Sequence, residues 1–433
     1  MRVRCAERAA LRAHRGLGEN GWVDGARRTL GETIAALRRE RGLSQDELAR
    51  SVGVTRSIVS AWERDQRRPR RDKLTVLGDV IGLPDDAASR QGNGDRGDRG
   101  PVLPAGTTVN TLLRQAADGL IAHLSEDTAV DGYPGHGWRR EVDDPSARVS
   151  AMATAYGLQA LLLAGARDWR VDLRPLRDLL RRLELPDGGW SALTGAGALP
   201  RPEVTAVVVG ALSDAGEDRD YIAERIDLLV SRLRWRAEGA ERARPYVLTT
   251  SLLELSRLEV EDTLARRFLD DLIDNAIPEE GLRAWPVRVD SPMAGSDPST
   301  VHTAAAVRTL AAWAVRLNDD WLWEVAVSGR LWLERYADLD LDSETLRIER
   351  ADGTEDLHTV SHFTPAVVLR AIVDAGGDVS GVVARQARRE TLRYYRPEDR
   401  LWRWPTGGGQ FPVWMTYQGI AALRSWALSG AAE

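Results

Sequence analysis

Arginine and hydroxyl side chains gather between Thr55 and Arg68 of this 433-residue chain. An arginine can pair bidentately with a guanine edge, and short hydroxyls can contact neighbouring base edges. Further arginines supply sequence-independent, salt-sensitive attraction to phosphates. The side chains suited to these roles are Arg56, Ser57, Ser60, Arg64, Arg67 and Arg68. Their types predict contact with double-stranded DNA.

Metal and redox chemistry have little support in the sequence. His358 and His362 have i,i+4 spacing, which could place two imidazoles on one helix face, but no carboxylate motif accompanies them. The sole cysteine, Cys5, excludes an intrachain disulfide and a thiolate metal cluster. The sequence predicts no catalytic residue, no metal site and no cofactor.

Four short helices must position the DNA-facing side chains. Apolar residues recur at helical spacing over residues 29–41, and Ser44 with Glu47 spells a capping box for a second helix. Gly53 suits a tight turn, and Thr55 is placed to cap the third helix. A fourth helix closes the core. Such a unit places a recognition helix in the major groove of DNA.

The segment LSQDELARSVGVTRSIVSAWERDQRRPRRDKLTVLGDVIGL resembles the helix-turn-helix of the phage-repressor (Cro-like, XRE) family, and the match extends over residues 29–83. The resemblance implies that Gln45 holds a phosphate. It also implies that Arg56, Ser57 and Ser60 reach base edges and that the arginines after them lie near phosphates. A module for protein contacts is the alternative, which the arginines disfavour. Because so small a domain usually binds a two-fold site as a pair, we predict a homodimer.

Charge and composition predict four segments. Residues 1–90 carry a net charge of +6 and residues 91–433 a net charge of −12. We predict a basic, poorly ordered tail (1–26), the helix-turn-helix domain (27–83), a flexible linker rich in Gly, Pro, Asp and Arg (84–108), and a helical domain (109–433). The sequence has neither a secretory signal nor an apolar run of about 18 residues, which predicts a cytoplasmic protein with no membrane partner.

A pattern repeats six times after residue 109. A tryptophan, or Ile348 in one repeat, precedes by 14–18 residues a threonine that opens an Ala/Leu-rich helix. The threonines are Thr154, Thr205, Thr249, Thr303, Thr364 and Thr416. A period near 50 residues predicts stacked helical hairpins, and six hairpins suit a closed (α/α)6 toroid. The predicted class is all-α, with an open solenoid as the alternative and no strand-like alternation in the body.

The repeats at Leu185–Gly216 and Asp399–Trp426 resemble those of terpene cyclases and protein prenyltransferases, through a Gly-Trp turn or its equivalent and a Thr-led helix. The resemblance implies that residues near the inner-helix starts line a central cavity. The D-x-D-D acid cluster and the Asp, Cys and His zinc set of those families are missing. Asp270-Asp271-x-x-Asp274 matches only a motif of a different helical fold. The candidate cavity residues are Trp138, Thr154, Trp190, Thr205, His302, Thr303, His362, Thr364, Trp404, Trp414, Thr416 and Tyr417.

Three functions are compatible with this organisation. The first is a transcriptional regulator whose toroid binds an apolar small molecule or a protein partner. The second is a cyclase-like or glycosidase-like enzyme with a DNA-binding head, which would need an acid pair facing one cavity. The acids in suitable loops are Asp143, Asp144, Glu203 and Asp297. The third is a protein-interaction scaffold, and the missing catalytic clusters favour the first.

Overall fold

The computed structural model describes residues 29–54, 56–63, 69, 71–84, 107–127, 135–144, 147–165, 172–192, 197–238, 245–287, 298–405 and 410–430. The chain divides into two compact units, residues 1–96 and residues 97–433, called the head and the ring domain below. This division falls inside the predicted linker. The predicted tail (1–26) and most of the linker lie outside the described residues. Within these ranges every helix is too short or too polar to span a bilayer.

The described part of the head consists of α1 (Leu30–Glu40), α2 (Gln45–Val52), α3 (Arg56–Glu63) and α4 (Arg71–Ile81). Both α1 and α2 begin with a capping box, at Thr29 and Ser44 respectively, which confirms the box predicted from the sequence. Gly53 follows α2 in the left-handed region, at φ 70°, and the backbone turns there toward α3. These signals set the length of each helix before any packing is considered.

One apolar core holds the head together. The side chains of Ile34, Leu48, Val59, Trp62 and Leu77 come from all four helices and are almost completely buried. Each large apolar side chain of this kind contributes roughly 1.5–3 kcal/mol by leaving water. The apolar spacing of α3 therefore fixes which of its faces points inward and which remains outside.

The described ring domain has two concentric layers of helices. The inner layer comprises α6 (Ala151–Leu163), α8 (Pro202–Asp214), α10 (Pro245–Leu255), α12 (Thr300–Leu317), α14 (Thr364–Asp374) and α16 (Val413–Leu428). Each inner helix packs on the next, and the sixth packs on the first, so the ring is closed. The outer layer comprises α5 (Val109–Ala122), α7 (Arg174–Arg182), α9 (Arg219–Glu238), α11 (Asp262–Asp274), α13 (Asp320–Tyr336) and α15 (Val382–Arg393). This arrangement confirms the predicted all-α class and the ring of helical hairpins.

The ring domain also contains short strands that the sequence did not predict. The described residues include four antiparallel hairpins. They are β1 (Ser125–Asp127) with β2 (Gly135–Gly137), β3 (Ile277–Glu279) with β4 (Leu282–Ala284), β5 (Asp342–Glu349) with β6 (Glu355–His362), and β7 (Tyr395–Arg396) with β8 (Leu401–Trp402). Three hairpins are too short for a readable alternation. The longer hairpin, β5–β6, pairs Asp342 with His362 through Glu349 with Glu355. Its strands are mainly polar, and the alternation of Leu346 and Ile348 in β5 is too short to predict a strand.

Four tryptophans before inner helices make the same pair of hydrogen bonds. The backbone N–H donates to a threonine Oγ1 of the following inner helix at 2.9–3.2 Å, and the indole Nε1–H donates to a carbonyl oxygen of the preceding outer helix at 2.7–2.8 Å. The pairs are Trp138–Thr154, Trp190–Thr205, Trp285–Thr303 and Trp402–Thr416. All eight side chains are buried. Each tryptophan–threonine pair therefore joins the two layers of one hairpin.

Glycines make room for two of these indoles. A Cβ atom on Gly157 would lie 2.3 Å from the Trp138 ring, and one on Gly419 would lie 2.4 Å from the Trp402 ring. Both glycines occur three residues after the paired threonine, inside an inner helix. Glycine costs about 1 kcal/mol relative to alanine in a helix interior. The close contact with the indole explains its presence at these positions.

Candidate nucleic-acid interface and ring cavity

Helix α3 separates a buried face from an exposed one. Val59 and Trp62 lie in the core, whereas 66% of the Arg56 side chain is exposed. Arg56 is 3.6 Å from Asp46 of α2, which is also largely exposed. Exposed ion pairs of this kind contribute little and exchange readily with other partners. The Arg56 guanidinium is therefore available to a ligand that approaches this face of the head.

The Glu63 carboxylate at the end of α3 connects three helices. It accepts hydrogen bonds from Arg38 of α1, through Nε and through Nη2 at 3.1 Å, and from Gln45 Nε2 of α2 at 2.8 Å. A third nitrogen of Arg38 donates to the Leu43 carbonyl oxygen at 2.7 Å. Burial raises the pKa of Glu63, but the bonds from Arg38 and Gln45 outweigh it and bring the pKa below its ordinary value. The carboxylate is thus charged and fixes how α3 is presented.

Of the side chains predicted to contact DNA, some have protein partners in the structure and others lie outside the described residues. The amide of Gln45, expected at a phosphate, bonds to Glu63, a pairing that sequence spacing did not reveal. Ser60 lies half-buried on α3. Ser57 belongs to α3 but its side chain lies outside the described set, as do Thr55, Arg64, Arg67 and Arg68 entirely. Their contacts with DNA stay predictions.

The structure places Trp138 and Trp190 in the wall of the ring, not on a cavity surface. Their side chains have no exposed area, and both bond to threonines and outer-helix carbonyl groups. The predicted cavity threonines are buried partners of such tryptophans in four repeats: Thr154, Thr205, Thr303 and Thr416. Thr364 instead donates to the His362 carbonyl oxygen at 3.5 Å, because its repeat has no tryptophan.

His302 and His362 meet at a carboxylate that the sequence did not single out. Glu344 Oε1 of β5 lies 3.1 Å from His362 Nε2 and 3.4 Å from His302 Nε2, and Ser299 Oγ is 2.9 Å from His302 Nδ1. Burial raises the pKa of Glu344, but the hydrogen bonds of both histidines hold it well below its usual range. The cluster joins the β5–β6 hairpin to α12. Among the described residues, no group of three His, Cys, Asp or Glu side chains is arranged to hold a metal ion.

The other candidate acids of the ring have structural partners. Glu203 is buried and forms an ion pair with Arg201 at 2.8 Å. The exposed Asp143 accepts a hydrogen bond from the Phe411 backbone N–H at 3.2 Å. Asp144 is half-buried, and Asp297 lies outside the described residues, as does the side chain of His358. These contacts give the described acids a role in holding loops together.

A cavity of about 290 Å³ opens where the first and last repeats of the ring meet. The indoles of Trp404 and Trp414 form one corner, with ring centroids 5.6 Å apart and planes inclined by 58°. Tyr417, predicted as part of the same aromatic wall, stacks on Tyr156 with centroids 5.0 Å apart and is not among the lining residues. The remaining lining residues are Arg140, Glu141, Thr359, Ser361, Gln410 and Pro412.

Known proteins match the head in sequence. A family model described as helix-turn-helix matches residues 34–86. The chain is also 35% identical over 57 residues to an uncharacterized HTH-type transcriptional regulator, y4dJ, of Sinorhizobium fredii, a match that covers 13% of this chain and 74% of the relative. Through its head, the chain belongs to this helix-turn-helix family.

Solved structures match the ring domain in fold. A family 76 glycoside hydrolase from a bovine Bacteroides thetaiotaomicron strain is similar with a TM-score of 0.51 and 8% identity, over 75% of this chain and 78% of that one. An α-1,6-mannanase of Salegentibacter gives a TM-score of 0.49 at 11% identity, over 75% of this chain and all of that chain. At these identities the likeness concerns the fold alone. The terpene cyclase resemblance stays a prediction from the sequence.

Proposed function

We propose that the chain is a sequence-specific, DNA-binding transcriptional regulator whose ring domain senses a small molecule or a protein partner. The observation that carries the proposal is the geometry of α3. Its inner face is fixed by Val59 and Trp62, its end is held by the Glu63 carboxylate, and its outer face presents Arg56 to solvent. This is the arrangement that a recognition helix needs to meet base edges in the major groove.

Arg56 would then read a base edge, and Ser57 and Ser60 would contact bases near it. Thr55 at the helix start, together with Gln45, would lie near the phosphates, and so would Arg64, Arg67 and Arg68. A homodimer would place two copies of α3 about one helical turn of DNA apart, roughly 34 Å. This role implies that the protein works in the cytoplasm, with the chromosome.

The proposal for the ring domain rests on its cavity. The corner of Trp404 and Trp414 beside polar side chains offers a small molecule both apolar surface and hydrogen-bonding groups. A glycosidase-like enzyme would need two carboxyl groups that face each other across a substrate. Of the described acids, Glu203 instead forms an ion pair with Arg201, and Glu344 lies within 3.4 Å of His302 and 3.1 Å of His362. A sensing role therefore accounts for more of these contacts than catalysis does.

Selection of DNA by the full-length protein from a random duplex pool tests the proposal. A regulator should enrich a two-fold symmetric sequence whose binding weakens steeply as salt rises, because phosphate contacts release counterions. The enriched sequence should bind at least about 1,000-fold more tightly than random duplex. Recovery of unenriched pools at every salt concentration would contradict the proposal.

A further inference from the structure

The cavity beside Trp414 is built from three segments that are far apart in sequence. Arg140 and Glu141 lie between Trp138 and Thr154, Thr359 belongs to β6, and the loop before α16 supplies Gln410. Four backbone or side-chain contacts join these segments, so the cavity is a product of ring closure. The backbone N–H of Val142 donates to the Phe411 carbonyl oxygen at 3.1 Å, and the backbone N–H of Val413 donates to the Arg140 carbonyl oxygen at 3.1 Å. Arg140 Nη2 donates to the Thr359 carbonyl oxygen at 2.9 Å. Glu141 and Pro412 form an isolated antiparallel β-bridge.

The charges of this cavity balance. Arg140 and Glu141 lie 3.4 Å apart, with 38% and 18% of their side chains exposed. An anionic ligand would meet Glu141, and a cationic ligand would meet Arg140, so neither gains a net attraction from the wall. A hydrocarbon ligand would leave the polar groups of the wall without water or partners, at a cost. The wall therefore favours a neutral molecule with many polar groups.

The polar lining can both donate and accept hydrogen bonds. Thr359 and Ser361 are two residues apart on β6, so their side chains leave the same face of the strand. Each hydroxyl can donate one and accept two hydrogen bonds, and the Gln410 amide has both kinds of group. Arg140 adds donors and Glu141 adds acceptors. A ligand with adjacent hydroxyl groups matches such a mixture, because each of its hydroxyls also donates and accepts.

The indoles select the shape of the ligand. Their planes are inclined by 58°, so Trp404 and Trp414 form an open corner and cannot enclose a flat ring between parallel faces. A saturated six-membered ring presents C–H groups on one face and on its edges, which can pack on two inclined apolar planes. A volume of about 290 Å³ lies at the lower limit of small-molecule sites, which span roughly 300–1,000 Å³. This volume suits one or two sugar rings better than a longer chain.

We infer that the cavity formed by Trp404, Trp414, Thr359, Ser361, Arg140 and Glu141 binds a neutral carbohydrate in pyranose form. This inference rests on the proposed function, since it names the ligand class that the ring domain senses. It differs from the wholly apolar ligand expected from the sequence, because five of the eight lining residues are polar or charged.

Calorimetric titration of the full-length protein tests the inference. The probes are the methyl glycosides of glucose, galactose, mannose and N-acetylglucosamine, with maltose and cellobiose, and adenosine and choline as planar and cationic competitors. We expect saturable binding of at least one sugar with a dissociation constant of about 1 mM or lower. Binding of adenosine or choline alone, or of none of the probes, would overturn the inference.

Variants locate the site within the ring domain. Trp414→Ala should weaken sugar binding about tenfold or more, because it removes one plane of the corner. Trp321→Ala is the matched control, since Trp321 lies 48% exposed on the outer helix α13, and it should leave binding unchanged. Thr359→Val removes one exposed hydroxyl with little change in volume and should weaken binding about 3- to 10-fold even if Trp414→Ala folds poorly. Unchanged binding by Thr359→Val and Trp414→Ala would place the sugar elsewhere.

Titration of DNA with and without the bound sugar separates this inference from the proposed function. A sugar that binds through Trp414 and shifts DNA affinity supports both. Sugar binding without any change in DNA affinity would uphold the site and contradict a sensing role. DNA binding that is sequence-specific in a protein that binds no sugar would overturn the site and leave the DNA-binding proposal intact.

Discussion

In the head, one carboxylate connects three helices, whereas in the ring domain a connection between helices is repeated by four tryptophan–threonine pairs. The Glu63 carboxylate joins the end of α3 to α1 and α2, so a single charged group orients this helix in the small unit. The ring is much larger, and the contact that it repeats is a hydrogen bond between buried neutral groups, which needs no counter-charge. The orientation of one helix can thus be fixed by one ionic contact, while a ring of this size is stabilised by repetition.

Removal of one paired indole should have the largest effect. Trp190→Ala empties a fully buried site and removes the hydrogen bonds to Thr205 and to the Leu180 carbonyl oxygen. We expect the free energy of unfolding of the ring domain to fall by about 3–5 kcal/mol, measured by denaturant titration of the ring transition. Trp321→Ala should change it by less than about 0.5 kcal/mol. Equal effects of the two variants would show that the pairs do not stabilise the ring.

Loss of the Glu63 carboxylate tests the corresponding contact in the head. Glu63→Ala leaves the largely buried Arg38 guanidinium without its carboxylate and frees the Gln45 amide. Hydrogen bonds to charged groups of this kind are worth about 1.5–3 kcal/mol, so the head should lose about 2–3 kcal/mol of stability. Calorimetry that resolves the transition of the head would measure it. A double-mutant cycle with Arg38→Ala should show strong coupling, and purely additive losses would contradict the contact.

A glycine substitution contrasts the packing of the two units. Gly419→Ala would bring a Cβ to 2.4 Å from the Trp402 ring, so overpacking should cost about 1–2 kcal/mol despite the better helix propensity of alanine. Gly78→Ala in α4 would meet nothing closer than 3.4 Å. It should be neutral or stabilising. Thermal unfolding of both variants gives the comparison, and a more stable Gly419→Ala protein would contradict the close indole contact.

Acidic pH should lower the stability of the ring domain, because it protonates the Glu344 carboxylate. Because its pKa in the folded protein lies below the ordinary value, its contacts stabilise the ring fully above about pH 4.3 and lose that contribution as the pH falls through the folded pKa. In Glu344→Gln, the free energy of unfolding of the ring domain should fall by roughly 1 kcal/mol less, or by a still smaller amount, over the same drop in pH. The free energy of unfolding of both proteins, measured between about pH 6 and pH 3 where carboxylates titrate, would show this difference. Parallel curves for the two proteins would contradict the assigned contact.

The sequence predicted those parts of the fold that depend on residues close together in the chain or on a visible repeat. The capping box at Ser44 and the turn at Gly53 depend on neighbours within a few residues, and the six threonines depend on a repeat that is visible by alignment. The contact of Gln45 with Glu63 and the meeting of His302 with Glu344 join residues 18 and 42 positions apart, with no local signal. The β5–β6 hairpin was missed because its strands are mainly polar and alternate over only Leu346 and Ile348 in β5.

The affinity of an Arg56→Ala protein for the enriched DNA sequence tests the central claim most directly. The matched control is Arg389→Ala, which removes the same charge from a side chain that is 74% exposed on α15 of the ring domain. Fluorescence anisotropy at one salt concentration should show that Arg56→Ala loses about 5- to 150-fold in affinity for the enriched sequence, corresponding to about 1–3 kcal/mol for one base contact, while its affinity for random duplex changes far less. Arg389→Ala should bind both as the unmodified protein does. Equal losses for the two variants, or no loss for Arg56→Ala, would contradict the assignment of α3 as the recognition helix.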